Sequence, residues 1–182
     1  GIEAFRDYQR SEAWTWEHQA LLHARAVAGD PELRARFQEL RMEVATQFVR
    51  RDQLRDDVRS MRERMRRELD KSGGGEFDLK QGVGGIADIE FLAQYWALLH
   101  AARRPPVAFY SDTIRQLESL ASDALVAQEV VDQLTDAYRA YRSRGHHRSL
   151  RDEVARVPDS EFAAERAAVT RIWQATFDGG DV

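Results

Sequence analysis

The segment Asp78-Leu79-Lys80-Gln81-Gly82-Val83-Gly84-Gly85-Ile86-Ala87-Asp88-Ile89-Glu90-Phe91 holds the residues best suited to chemistry. Glycines let backbone N–H groups come close to a ligand. The first turn of a helix adds unpaired N–H donors and the positive end of its dipole. Lys80, just upstream, supplies a point charge that suits a phosphate. Lys80 with Gly82, Gly84 and Gly85 could therefore cradle a nucleotide phosphate. The same residues also describe a tight turn packed against a neighbouring helix, with Asp88 as a cap. No GK[ST] is present and no clear strand precedes the segment. It is neither a Walker loop nor a dinucleotide fingerprint.

Asp88 and Glu90 suggest a metal pair, but residues two apart on an α-helix sit about 200° apart around its axis. They can share an ion only if Asp88 lies in an extended approach to the helix. Glu90 instead shares a face with Gln94. Two-metal phosphoryl chemistry needs further carboxylates, so no metal site is expected in this chain alone.

A second candidate is Trp14-Thr15-Trp16-Glu17-His18-Gln19-Ala20-Leu21. One reading is aromatic packing with satisfied side-chain hydrogen bonds. The other has Glu17, Gln19 or Arg25 lining a cleft. His18 and His23 are five apart and diverge around a helix, which makes them a poor metal pair. A third candidate is the basic run Arg139, Arg142, Arg144, His146, His147, Arg148 and Arg151. It reads as a solvated helix face, an anion site or a surface for a protein partner. No RNP-like, helix-turn-helix or zinc-finger pattern accompanies these charges, so no nucleic-acid partner is expected.

The elements that must position these residues are helices. The spacing predicts one from Trp14 to Arg25, with Ser11 as N-cap and Gly29 ending it. Asp30-Pro31 opens the next, along a face of Leu33, Phe37, Leu40 and Val44. From Arg50 to Lys71 a narrow stripe of Leu54, Val58, Met61, Met65 and Leu69 marks a long charged helix. Ser72-Gly73-Gly74-Gly75 breaks it. Ile86 to Ala102 is apolar almost all round and must be buried by its neighbours. Pro105-Pro106 stops it, Ser111 caps a short helix, and Leu125–Ser149 and Ser160–Phe177 complete the set. Only Val107–Tyr110 looks strand-like. The expected fold is an all-α bundle of about six to eight helices, in which a glycine-rich loop leads into a buried central helix. With no internal repeat and no shift in composition, residues 1–182 read as one helical domain.

Composition narrows the function classes. The chain has 182 residues, enough for a real core. A net charge of -4 disfavours a nucleic-acid coat or a polybasic membrane anchor. The absence of cysteine removes disulfides, zinc–thiolate sites and thiol nucleophiles, and suits a reducing cytoplasm. No apolar run approaches the roughly 20 residues that cross a bilayer, so no membrane partner is expected. The first methionine is Met42 and the start is not a signal peptide. The chain reads as a fragment of a larger protein.

Two longer segments carry a resemblance. Ala13 to Phe37 reads AWTWEHQALLHARAVAGDPELRARF, and Asp78 to Leu99 reads DLKQGVGGIADIEFLAQYWALL. Both resemble the bifunctional glutamine synthetase adenylyltransferase/adenylyl-removing enzymes of bacteria, as do SDTIRQLESLA and FAAERAAVTRIWQATF later in the chain. Proteins of that family have two halves, each a nucleotidyltransferase domain followed by a helical domain. The WTWEHQAL and DIEFLAQY wording resembles the C-terminal half, which adds AMP to glutamine synthetase, while the other half removes it. The resemblance implies attack by a tyrosine hydroxyl of glutamine synthetase on the α-phosphate of ATP. It implies Mg²⁺ held by aspartates after a Gly-Ser turn in the nucleotidyltransferase domain. That pattern is missing here, so the isolated chain is expected to be inactive. What carries over is Lys80, Gly82, Gly84, Gly85, Asp88 and Glu90 from one motif and Trp16, Glu17, Gln19 and Arg25 from the other. They are expected to face the preceding nucleotidyltransferase domain across a nucleotide cleft, with Lys80 and the Gly84 and Gly85 amides on phosphates and Glu17 and Asp88 orienting neighbours. The alternative is a docking module for the PII signal protein, glutamine or glutamine synthetase, without nucleotide contact.

Overall fold

Short polar side chains set two of the helix starts. Asp30 accepts the Leu33 amide at 3.0 Å with Pro31 at the first helical position, and Asp112, one residue beyond the expected cap, accepts the Arg115 amide at 3.0 Å. The computed structural model describes residues 1–179. In chain order its helices are α1 (Ile2–Ser11), α2 (Thr15–His23), α3 (Pro31–Glu43), α4 (Leu54–Leu69), α5 (Ile86–His100), α6 (Thr113–Ser122), α7 (Gln128–Ser149) and α8 (Ala163–Phe177). A π-helical turn, Val44–Phe48, follows α3, and a 3-10 turn, Pro105–Ala108, follows α5. The fold is all-α apart from one ribbon of β1 (Glu76–Asp78) and β2 (Arg156–Pro158). These strands run antiparallel with Phe77 opposite Val157.

Several local expectations shift. Ser11 closes α1 instead of capping α2, and α2 opens after an extended Trp14. A further helix, α1, precedes the expected set, with Ile2, Phe5 and Tyr8 three apart along one face. The second helix ends at His23, well before Gly29. Val107–Tyr110 is no strand: two prolines open a 3-10 turn there that buries Val107 and Ala108. Conversely, the strand β1 does precede the glycine-rich segment, and at three residues it is too short to show a period of two.

Contacts along the chain group into two compact units. The first comprises Gly1–Val58 and Ala93–Leu125. Its core joins Leu21, Leu40 and Val44, flanked by Ile2, Phe37 and Phe48. The buried Arg41 guanidinium donates to the carbonyls of Leu22, at 2.8 Å, and of Phe109, tying α2 to α3 and the 3-10 turn. Arg51 likewise donates to Leu98 O at 3.1 Å and Ala45 O at 2.6 Å. Peptide carbonyls thus satisfy two inward-facing cations. The second unit comprises Arg59–Leu92 and the chain from Val126 onward. There α7 packs on α8, and Phe77, Leu79, Ile89, Leu92, Leu134, Tyr141 and Val169 are buried. Among the described residues no helix is long and apolar enough to cross a membrane.

Candidate functional site

In the second unit, the glycine-rich segment is a loop held from three sides. Its first support is Asp78, at the end of β1, whose Oδ1 accepts the amides of Lys80 and Gln81, both at 2.9 Å. That Asx turn starts the reversal. Its carbonyl then accepts the Gly82 amide at 2.9 Å. Amides farther along bond back into the loop: Gly85 to Gly82 O at 2.9 Å, Ile86 to Leu79 O at 3.0 Å and Ala87 to Lys80 O at 3.0 Å.

The second support is Asp88, inside the first turn of α5 and 1% exposed. Its Oδ1 accepts from Arg62 Nε at 2.7 Å and from Arg66 Nη2 at 2.8 Å. Its Oδ2 accepts the Gly84 amide at 2.7 Å. Arg62, fully buried, also donates to Gln81 O at 2.8 Å. One carboxylate and two guanidiniums thus hold both ends of the loop. Burial pulls the Arg62 guanidinium below its ordinary pKa, and the adjacent Asp88 pulls it back up. Arg62 and Arg66 were missed from the sequence. A signal existed: steps of four from Leu54 and Val58, both fully buried, land on Arg62.

The third support is packing against α8 and β1. Gly84 has φ +78°, and a Cβ there would lie 2.6 Å from Arg166 O and 2.9 Å from Thr170 Oγ1. A Cβ on Gly82 would lie 2.6 Å from the Phe77 ring, whose face Arg166 covers at 4.0 Å. One on Gly85 would meet the carbonyls of Gly82 and Leu79 at 2.9 Å. Only glycine fits these positions. The loop is therefore a packed turn in which the Gly82, Gly84 and Gly85 amides are satisfied internally. Lys80 points a free ammonium into solvent. Glu90 leaves on another face, half-buried, and accepts the Tyr138 hydroxyl at 3.2 Å. Asp88 is helical and ion-paired, so the extended approach that would let it share an ion with Glu90 does not occur. Among the described residues no group of three or more His, Asp or Glu side chains comes together as a metal cage.

The tryptophan motif lies in the first unit. Glu17 Oε2 accepts the Trp14 amide at 2.8 Å and Oε1 accepts the Tyr8 hydroxyl at 2.7 Å, so this carboxylate fixes the start of α2 against α1. Trp14 and Trp16 project into solvent, 66% and 48% exposed, and do not pack as a core pair. Gln19 is buried, and its Nε2 donates to Gln94 Oε1 at 3.1 Å. Gln94 Nε2 meets His23 Nε2 at 2.7 Å, and His23 Nδ1 meets Ser111 O at 2.8 Å. A carbonyl only accepts, so Nδ1 carries the proton and Nε2 accepts from Gln94. His18 turns elsewhere: its Nε2 donates to Gln9 O at 3.0 Å, and burial lowers its pKa. Arg25 lies beyond α2, exposed and without a partner among the described residues.

These features define an all-α chain built around an arginine-clamped glycine turn and a tryptophan-led helix. Residues 52–153 match the family described as GlnD PII-uridylyltransferase, and residues 1–40 match that described as glutamate-ammonia ligase adenylyltransferase. The bifunctional glutamine synthetase adenylyltransferase/adenylyl-removing enzyme of Nitrosococcus oceani is 49% identical over 178 residues, 98% of this chain and 18% of that protein. The enzyme of the same name from Thioalkalivibrio sulfidiphilus is 43% identical over 179 residues, with the same 98% and 18% coverage. The chain belongs to the glutamine synthetase adenylyltransferase family. It spans less than a fifth of the length of these relatives.

Proposed function

We propose that this chain is the helical domain following the nucleotidyltransferase domain in the C-terminal half of such an enzyme. There it takes part in moving AMP from ATP to a tyrosine of glutamine synthetase, in the cytoplasm, as a step in regulating nitrogen assimilation. The observation that carries the reading is the Arg62–Asp88–Gly84 network. It fixes a loop whose exposed Lys80 can reach a phosphate, while Asp88 acts only by orienting that loop. With the Gly84 and Gly85 amides engaged inside the turn, Lys80 is left as the phosphate contact. Glu17 and Gln19 order the tryptophan helix, which offers Trp16 and Arg25 to the preceding domain. Mg²⁺ and ATP act in the whole enzyme. The donor set here does not fit the ion, since Asp88 is neutralised by two guanidiniums, and no step is assigned through it.

Adenylylation of glutamine synthetase by the full-length enzyme carrying Lys80→Ala tests this. A loss of rate at unchanged thermal stability is expected, and a wild-type rate would remove Lys80 from the site. A second reading, a docking module for the PII signal protein, glutamine or glutamine synthetase, is favoured by the exposed Arg139, Arg142, His146 and His147 on α7. Titrating ATP into this chain, alone and joined to the preceding domain, separates the two. Tighter binding in the joined form than in the chain alone supports a shared cleft, and no gain on joining supports docking.

A further inference from the structure

We propose that a groove between the tip of the glycine loop and α8 binds a phosphoryl anion. It lies wholly in the second unit and does not depend on the adenylyltransferase reading. The groove has a volume of about 400 Å³; Arg166, Thr170, Arg171 and Gln174 are its polar lining, and Val83 with two alanines completes it. That space admits a diphosphate or the phosphate end of a larger ligand.

What distinguishes this groove is its surplus of donors. Val83 sits at the tip, 42% exposed. The amides of Gly82, Gly84 and Gly85 all have internal acceptors, whereas the Val83 amide has none among the described residues. Among the described residues Arg171 makes one hydrogen bond, to the neutral Gln133 side chain at 3.1 Å, and no ion pair. Its charge is therefore uncompensated. Thr170 Oγ1 stands beside Gly84, and neither it nor the Gln174 side chain has a hydrogen-bond partner in the unit. Arg166 is held in place by Asp159 at 3.2 Å and by the Phe77 ring, with its Nε buried and unpartnered.

Among the described residues no carboxylate lines the groove. Val83, with its unengaged amide, thus borders one space with a hydroxyl, a side-chain amide and a guanidinium that all have capacity to donate. An anion with several oxygens can use donors of different kinds at once, and charge-assisted bonds are about twice as strong as neutral ones. A phosphoryl group meets that description better than a planar carboxylate, which offers two oxygens. The loop approaches α8 this closely only because Gly84 has no side chain.

The test is titration of the isotope-labelled chain with inorganic pyrophosphate and with ATP, followed by NMR of the backbone amides. The Val83 and Thr170 amides should shift with a saturable dependence on ligand. Arg171→Ala should weaken binding roughly tenfold and Thr170→Val by less. Arg34→Ala, an exposed charge removed outside the groove, should leave it unchanged. Tighter binding of ATP than of pyrophosphate assigns the anion to a nucleotide, and equal or weaker binding assigns it to the free anion. Absence of a Val83 shift with both ligands, or equal binding by wild type and Arg171→Ala, overturns the proposal.

Discussion

Arg62 and Asp88 form an ion pair in which both side chains are almost wholly removed from water, at 0% and 1% exposure, with Nε and Oδ1 2.7 Å apart. Such a pair is costly to bury and is kept only when its remaining hydrogen-bonding capacity is met. Here it is met by Arg66, the Gly84 amide and the Gln81 carbonyl. The pair converts one stretch of α4 into the frame on which the glycine loop is shaped. Arg62→Met leaves Asp88 with less compensation and orphans the Gln81 contacts. Urea denaturation should report a loss of about 3–5 kcal/mol. Arg62→Lys should restore less than half of it, because one ammonium cannot reproduce the fork that spans Asp88 and Gln81.

Two glycines on the same unit should respond in opposite ways. Gly84 has a left-handed φ of +78° and faces the Arg166 carbonyl, so Gly84→Ala combines backbone strain with a clash. At least roughly 1–3 kcal/mol of destabilisation is expected from the strain alone. Gly145 lies inside α7, and the nearest atom to an added Cβ there is Leu79 Cδ1 at 4.0 Å. Gly145→Ala should be neutral or stabilise by up to about 1 kcal/mol, since alanine favours helix and restricts the unfolded chain. Parallel thermal melts would check both, and a large loss in Gly145→Ala would show that the packing around α7 is misjudged.

The all-α fold was legible because long helices repeat their apolar residues often enough to reveal the period, as Leu54 and Val58 do. The glycine loop was legible as a feature but ambiguous in kind. Which amides remain free depends on Asp78, Asp88 and Arg166, and only folding brings Arg166 beside a residue 82 positions earlier. Arg62 was hidden by its type. Sequence patterns treat arginine as polar, so the expected stripe runs from Val58 to Met61 and Met65, which are only half-buried, and passes over the inward-facing Arg62. In the sequence Gln94 stands out only as a neighbour of Glu90, because its partners Gln19 and His23 lie more than 70 positions upstream. The two short strands were beyond reach for the same reason: a three-residue strand acquires meaning only from its partner.

Acid should weaken the fold through His18. Burial, the largest effect, lowers its pKa below the ordinary 6.5, with Arg50 adding to the fall, while the Gln9 hydrogen bond and Glu17 oppose it. The unfolded chain therefore takes up a proton before the folded chain does. Stability is full above about pH 6.5 and falls as the pH drops below it, until the folded state also protonates. His100, lowered by burial and by Arg103, contributes with the same sign. Unfolding free energies measured between pH 7 and pH 5 should decline, and His18→Gln should flatten that decline without abolishing it. An unchanged slope would show that His18 is not a source of it.

The relay Gln19–Gln94–His23 permits a sharper experiment, because each member's role is set by the next. Ser111 O forces His23 Nδ1 to donate, so Nε2 must accept from the Gln94 amide. Gln94→Leu keeps the approximate volume but strands the Gln19 amide and His23 Nε2, and should cost about 1–3 kcal/mol for each buried group left unpaired. Gln94→Glu has a different outcome. Its carboxylate can still accept from Gln19, but it faces His23 Nε2 lone pair to lone pair unless the imidazole takes up a proton. Both ring nitrogens then donate, one to Ser111 O and one to the new carboxylate. Protonation is favoured in the folded state, so the stabilising term is present at low pH and lost as the pH rises. Gln94→Glu should lose less stability than the parent chain between pH 8 and pH 5.5, since His18 and His100 act alike in both proteins. If the two proteins show the same pH slope, His23 does not accept from residue 94.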